Sequence, residues 1–151
     1  MSATMSSAPN LTGLVDALGD AVVVADPEGA IVVWNAAAQR IFGYTREEAL
    51  GRPLDLITPD RHRRRHWDGY ANTMRTGETK YGTKLLKVPA LHKDGHALSI
   101  AFTVGLLKDE AGAVTGIAAV IRDETERWQE EKHLRQRIAD LEDHLKDNVP
   151  A

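Results

Sequence analysis

The sequence predicts an α+β domain in which a five-stranded antiparallel sheet carries short helices on one face and is followed by a C-terminal coiled-coil helix. Three observations predict it. Two β-branched apolar runs, Ala21 to Ala25 and Ala30 to Trp34, flank the turn Asp26-Pro-Glu-Gly29. Three longer strand-like runs, Lys84 to Leu91, Ala97 to Lys108 and Val114 to Arg122, are separated by Lys93-Asp-Gly95 and Asp109-Glu-Ala-Gly112. Between the two groups apolar residues recur at helical spacing, and past Glu124 they settle into a heptad.

Residues 1–10 are small and polar and are assigned to a flexible tail. Leu11, Leu14, Val15 and Leu18 then predict a short helix stopped by Gly19. After the first hairpin, Asn35 can cap a helix that carries Ala38, Ile41 and Phe42 and ends at Gly43. Thr45-Arg-Glu-Glu48 has the form of a capping box, opening a second short helix closed by Gly51. Pro53 to Pro59 reads as an irregular apolar connection. Asp60 is expected to cap a longer helix that runs to about Thr76 and stops at Gly77.

The last three runs should form a meander. In the middle one Leu98, Ile100, Phe102 and Val104 alternate with Ser99, Ala101 and Thr103, so one face is apolar and needs a cover. The long helix is the expected cover, with a pocket between it and the sheet. Leu134, Ile138, Leu141 and Leu145 fall at alternating spacings of four and three. Because so short a helix is marginal in water alone, it is expected to pair with its copy in a homodimer. The division is therefore a tail at 1–10, a folded domain at 11–125, and an amphipathic signalling and dimerisation helix with its tail at 126–151.

A chain of 151 residues with 42% hydrophobic residues can bury one core. The formal charge of -3 gives no overall attraction for nucleic acid or an anionic membrane, and neither is an expected partner. Arg61, Arg63, Arg64 and Arg65 lack interleaved aromatic platforms, so they read as a solvated face or a clamp for an acidic ligand. The absence of cysteine excludes disulfides, cysteine zinc sites and thiol catalysis. No apolar run of about 18 residues and no leader-like start is seen, so the expected location is cytoplasmic. Neither a nucleophile constellation nor a Gly-rich phosphate loop is present, so no enzymatic activity is expected. No output domain follows the last helix, so the signal is expected to pass to a separate signalling protein, or the chain is a segment of a larger sensor.

Asp26-Pro-Glu-Gly29, Ile31-Val-Val-Trp-Asn35, Ala38, Phe42-Gly-Tyr-Thr45, Glu47-Glu48 and Gly51-Arg52 resemble the amino-terminal motif of the PAS family. Lys93-Asp-Gly95 and Asp123-Glu-Thr125 resemble its carboxy-terminal markers. The resemblance spans Leu11 to Thr125. It implies a PAS fold and a sensory module in which core rearrangement is coupled to the position of the C-terminal helix. PAS domains sense through haem, flavin, organic acids or a partner surface. Without cysteine, flavin modules of the LOV type and the chromophore of photoactive yellow protein are both removed.

His66 lies eleven residues before Gly77, which lies eighteen before Gly95, and this spacing is similar to that of FixL-type oxygen sensors. The similarity implies haem b as cofactor, His66 as its axial ligand and Ile100, Phe102 and Val104 as the apolar wall, with Tyr70 and Leu86 also in the pocket. The arginine run could bind the propionates. Two departures stand out: Leu86 occupies the place of the distal arginine, and Asn72 and Lys80 replace groups that hold the haem carboxylates. Against this, Trp67, Tyr70 and Met74 form an i, i+3, i+7 stripe that could itself face the core and leave His66 on its flank. His62 is a second, weaker candidate; His92, His96, His133 and His144 read as solvated polar residues. Two functions remain open, a small-ligand sensor and a ligand-free dimerisation or interaction module.

Overall fold

The β-branched runs and Gly-containing turns produce five strands, and the computed structural model, which describes residues 10–148, orders them β2-β1-β5-β4-β3 in one antiparallel sheet. The elements are α1 (Leu11–Ala17), β1 (Ala21–Ala25), β2 (Ile31–Trp34), α2 (Ala36–Phe42), α3 (Arg46–Ala49), a 3-10 turn (Leu54–Ile57), α4 (Asp60–Thr76), β3 (Leu86–Leu91), β4 (Ala97–Lys108), β5 (Val114–Asp123) and α5 (Thr125–Asp147). The last strand returns between the two hairpins, so β5 pairs with both β1 and β4.

Cross-strand partners share a sheet face, and the register therefore sorts the side chains. Val23, Ala119 and Val104 stand in one row, and Ala21, Ile121, Phe102 and Leu86 in the next. This inner face closes on Trp34, Ala38, Phe42, Ala49 and Ile57, contributed by β2, the short helices and the 3-10 turn. Trp34 and Phe42 are fully buried with ring centroids 5.4 Å apart. The free edge of β2 is not left bare: Ile31 N–H donates to the Arg52 carbonyl at 2.9 Å and Gly51 N–H to the Ile31 carbonyl at 2.8 Å.

The local signals hold in most places. Asn35 caps α2, Gly43 ends it with φ of 86°, and Thr45 and Glu48 make both bonds of the capping box. Four expectations need correction. Asp60 is the first helical residue of α4 and not its cap, because Pro59, with extended backbone, takes the cap position and Asp60 instead pairs with Arg63 at 2.6 Å. The connection from Pro53 to Pro59 contains a 3-10 turn, which buries Ile57. β3 starts at Leu86, since Lys84 and Leu85 lie outside the ladder and are exposed. Asn10 accepts from Gly13 N–H at 3.2 Å as the cap of α1, so it belongs to the folded part. The rest of the expected tails, residues 1–9 and 149–151, lies outside the described residues. Among the described residues no helix is long and apolar enough to cross a membrane.

Candidate functional site

α4 is strongly charged, and its position is set by three residues on one stripe. Arg63 donates to the carbonyls of Thr58 and Asp55, each at 3.1 Å. The Trp67 indole N–H donates to Asp55 Oδ1 at 2.6 Å, and its ring lies over Gly29. Tyr70 is buried and its hydroxyl donates to the Asp26 carbonyl. Burial, followed by the nearby charges of Asp26 and Glu28, pushes the Tyr70 phenol up to about 12, so it stays a donor. The helix is thus pinned to the 3-10 turn and to the β1–β2 turn.

His66 sits beside that stripe and is half-buried. Its ring meets Trp67 edge-on at 4.9 Å and Tyr70 at 5.9 Å between centroids. Its Nδ1 is buried with no hydrogen-bond partner among the described residues. Burial pushes the imidazole below its ordinary value, with the Asp55 charge opposing. The result is a neutral ring with a nitrogen unpartnered among the described residues, and a neutral ring is the state in which histidine ligates a metal. The apolar stripe faces inward and His66 lies half-buried on its flank, where the alternative reading expects it.

On the sheet side, Ile100 is buried in the core cluster, while Leu86, Phe102 and Val104 are half-buried. Leu86 and Phe102 are direct cross-strand partners, and Ile100 pairs with Val88. The apolar row of β4 is therefore covered toward Ile100 and more open toward Val104. The six candidate residues fall into two groups, His66 with Tyr70 on α4, and Ile100, Phe102, Val104 and Leu86 on one face of the sheet. Two of them also have structural work: Tyr70 anchors α4 and Ile100 fills the core.

For haem, the neutral imidazole with its orphaned nitrogen and the half-open apolar row are the kinds of residue the group needs, although neither cleft among the described residues is lined by them. Arg64 and Arg65 are exposed on the same helix and available to carboxylates, whereas Arg63 is engaged. Leu86 offers no polar donor at the sheet.

A cleft of about 440 Å³ lies elsewhere, between the 3-10 turn, the first half of α4 and the β3–β4 hairpin. Leu56, Leu91 and Tyr44 provide its apolar wall, and Arg52, Arg63 and Lys93 its positive rim. None of the six residues lines it. The clustering of its basic residues is invisible in the sequence because they come from three separate segments. The same hairpin stacks the rings of His92 and His96, with His96 exposed.

The exit toward α5 is built on β4. Ser99 N–H donates to Thr125 Oγ1 at 3.0 Å, and the Ser99 carbonyl accepts from Glu124 N–H at 2.8 Å. Asp123 Oδ1 accepts from Thr125 N–H at 2.9 Å. The first turn of α5 is thereby fixed to the strand position adjoining Ile100.

The profile of the PAS fold family matches residues 10–123. An uncharacterized protein of Azorhizobium caulinodans is 37% identical over 132 residues, 87% of this chain and 18% of that protein. The sensor protein FixL of Bradyrhizobium diazoefficiens is 26% identical over 133 residues, 87% of this chain and 26% of its own length. The chain thus spans about a quarter or less of these two relatives. Among solved structures, a PAS domain from Colwellia psychrerythraea superposes with a TM-score of 0.67 at 25% identity, covering 77% of this chain and 95% of that one. With its sheet order, its pinned long helix and a family match over most of its length, the chain belongs to the PAS fold family.

Proposed function

We propose that this chain is the sensory segment of a signalling protein, binding a small ligand beneath α4, with haem held by His66 as the specific form, and passing the signal through α5. The observation that carries this reading is the buried, unpartnered Nδ1 of a neutral His66. When bound, haem supplies an iron able to take a diatomic gas or change its redox state. His66 would hold the group from α4, and Phe102, Val104 and Leu86 would exclude water from its sheet side. Movement of β4 would reach α5 through the paired bonds between Ser99, Glu124 and Thr125. The expected output is a separate signalling protein or a further domain of a longer chain.

Haem titration of the purified protein, followed by visible absorption, tests this. A Soret band is expected for the wild type, with His66→Ala lowering haem affinity at least about tenfold while circular dichroism stays unchanged. No stable band in the wild type, or one indifferent to His66→Ala, overturns the haem assignment.

The ligand-free interaction reading draws on a different observation: Leu134, Ile138, Leu141 and Leu145 are each more than half exposed along α5. A heptad seam open to water is what a pairing helix presents. Charged replacements, Leu134→Glu with Ile138→Glu, are expected to weaken a homodimer about 100-fold or more, since each buries a charge in an apolar seam. Sedimentation velocity reads the change; a profile identical to wild type defeats the dimer claim. Pairing through α5 is compatible with ligand binding at His66, because the two lie at separate places in the fold.

A further inference from the structure

The β3–β4 hairpin carries a second cluster of ligating groups, at the opposite side of the 440 Å³ cleft from α4. His92 N–H donates to the His96 carbonyl at 3.0 Å, and Gly95 N–H to the His92 carbonyl at 2.9 Å. Gly95 takes a φ of 94°, which closes the turn. His92 and His96 are therefore opposite one another across the hairpin mouth, on the same side of it. Their rings stack with centroids 4.5 Å apart and planes 19° from parallel. Asp94, at the turn, folds back over them: Oδ1 accepts from His96 N–H at 3.0 Å, lies 3.2 Å from His92 Nδ1, and contacts His96 Nδ1.

We propose that His92, Asp94 and His96 form a binding site for one divalent transition-metal ion of the zinc class. A ring nitrogen from each histidine and a carboxylate oxygen lie within 4.8 Å of one another. Tetrahedral zinc with nitrogen and oxygen ligands near 2.0–2.2 Å spaces those atoms roughly 3.3–3.5 Å apart, within the spread of the present cluster. The contacts among the three groups bring their ligating atoms together. His92 Nδ1 accepts from Asp94 N–H at 3.1 Å, a bond that a metal on this nitrogen would replace. The contact between His96 Nδ1 and the Asp94 carboxylate sets a ligand nitrogen and a ligand oxygen side by side.

The support around the cluster favours one geometry. His92 is wedged against Gly43, where an added Cβ would come within 2.6 Å of its ring. Lys93 N–H donates to the Phe42 carbonyl at 2.8 Å, which ties the turn to the end of α2. The Lys93 ammonium is drawn to Glu48 at 2.6 Å, so the positive charge on the residue between His92 and Asp94 is already paired. His96 and Asp94 are more than half exposed, which leaves an approach for the ion and at least one coordination position for water.

The site does not depend on the haem assignment, and its test keeps the two apart. Isothermal titration of tag-free, haem-free protein with zinc chloride is expected to show one ion per chain at this site. His96→Ala and His92→Ala should each weaken that binding about tenfold or more, with His66→Ala leaving it unchanged. Cobalt(II) should give the strong visible bands of a tetrahedral site in the wild type and lose them in His96→Ala. Zinc should raise the melting temperature of the wild type, and Asp94→Asn, which keeps the size of the side chain, should reduce the rise. Zinc affinity equal in the wild type and both histidine variants, or no binding at all, overturns the proposal.

Discussion

Asn35→Asp is expected to lower the unfolding free energy by about 3–5 kcal/mol at neutral pH, a large share of what a domain of this size possesses. Asn35 is 1% exposed and all its side-chain capacity is in use. Its Oδ1 accepts from Val22 N–H at 2.9 Å and from Ala38 N–H at 3.0 Å. Its Nδ2 donates to the carbonyls of Val15 at 2.8 Å and Asp20 at 3.1 Å. One amide thereby joins α1, β1 and α2. Aspartate is nearly isosteric and keeps the acceptor half, but it turns a two-proton donor into an oxygen facing two carbonyl oxygens. A buried polar group without partners costs much more than a formed bond contributes.

The pH dependence identifies the cause. Burial raises the folded-state pKa of the introduced carboxyl above its unfolded value. The variant's deficit is then smallest below the ordinary carboxyl range near 4 and grows as pH rises through that range toward the folded value. Urea unfolding followed by circular dichroism, at neutral pH and near pH 4, measures both. A deficit under about 1 kcal/mol at neutral pH, or one that does not shrink in acid, removes Asn35 from its role as the joint.

Gly29→Ala is expected to cost about 2–5 kcal/mol and to loosen α4. Two effects add. Gly29 has φ of 88°, where a side chain costs about 1–2 kcal/mol. A Cβ there would also stand 2.3 Å from the Trp67 ring, an overlap that forces the ring or the turn to move. Trp67 cannot yield cheaply, because rotation breaks its bond to Asp55. Adding Trp67→Leu to Gly29→Ala should recover the overlap portion and leave only the backbone strain, a coupling that a double-mutant cycle reads directly. Strictly additive losses would show that the indole and the turn do not touch. Trp67 fluorescence in the single variant gives an independent view of whether the helix has shifted.

These two positions also show how far local sequence carries. Asn35, Gly43 and the Thr45/Glu48 box were legible because a cap needs only a side chain and a backbone group a few residues away. The same local chemistry misplaced the start of α4: Asp60 is a good cap residue, but Pro59 was already extended before it and occupied that place. β3 was read two residues too long, since nothing local distinguishes Leu85, outside the ladder, from Leu86, within it.

The candidate site divides in the same way. His66 was found by spacing and by family resemblance, and its environment could not be: the ring's burial depends on Trp67 being held by Asp55 and Gly29, and Tyr70 by Asp26. His92 and His96 read as solvated polar residues flanking a turn, because a string of letters does not reveal which way a hairpin points its side chains.

By itself the sequence determined the alternation of strands and helices, the turns, most caps, the charged terminal helix and the family, all of which depend on periodicity and neighbours within a few residues. Only the tertiary structure decided which face of α4 looks inward, that His66 is neutral with an unpartnered nitrogen, and that two histidines and a carboxylate converge. The physical reason is that desolvation and convergence of donors arise from groups far apart in the chain, and the free energy of placing them together is spread over contacts that no local pattern records.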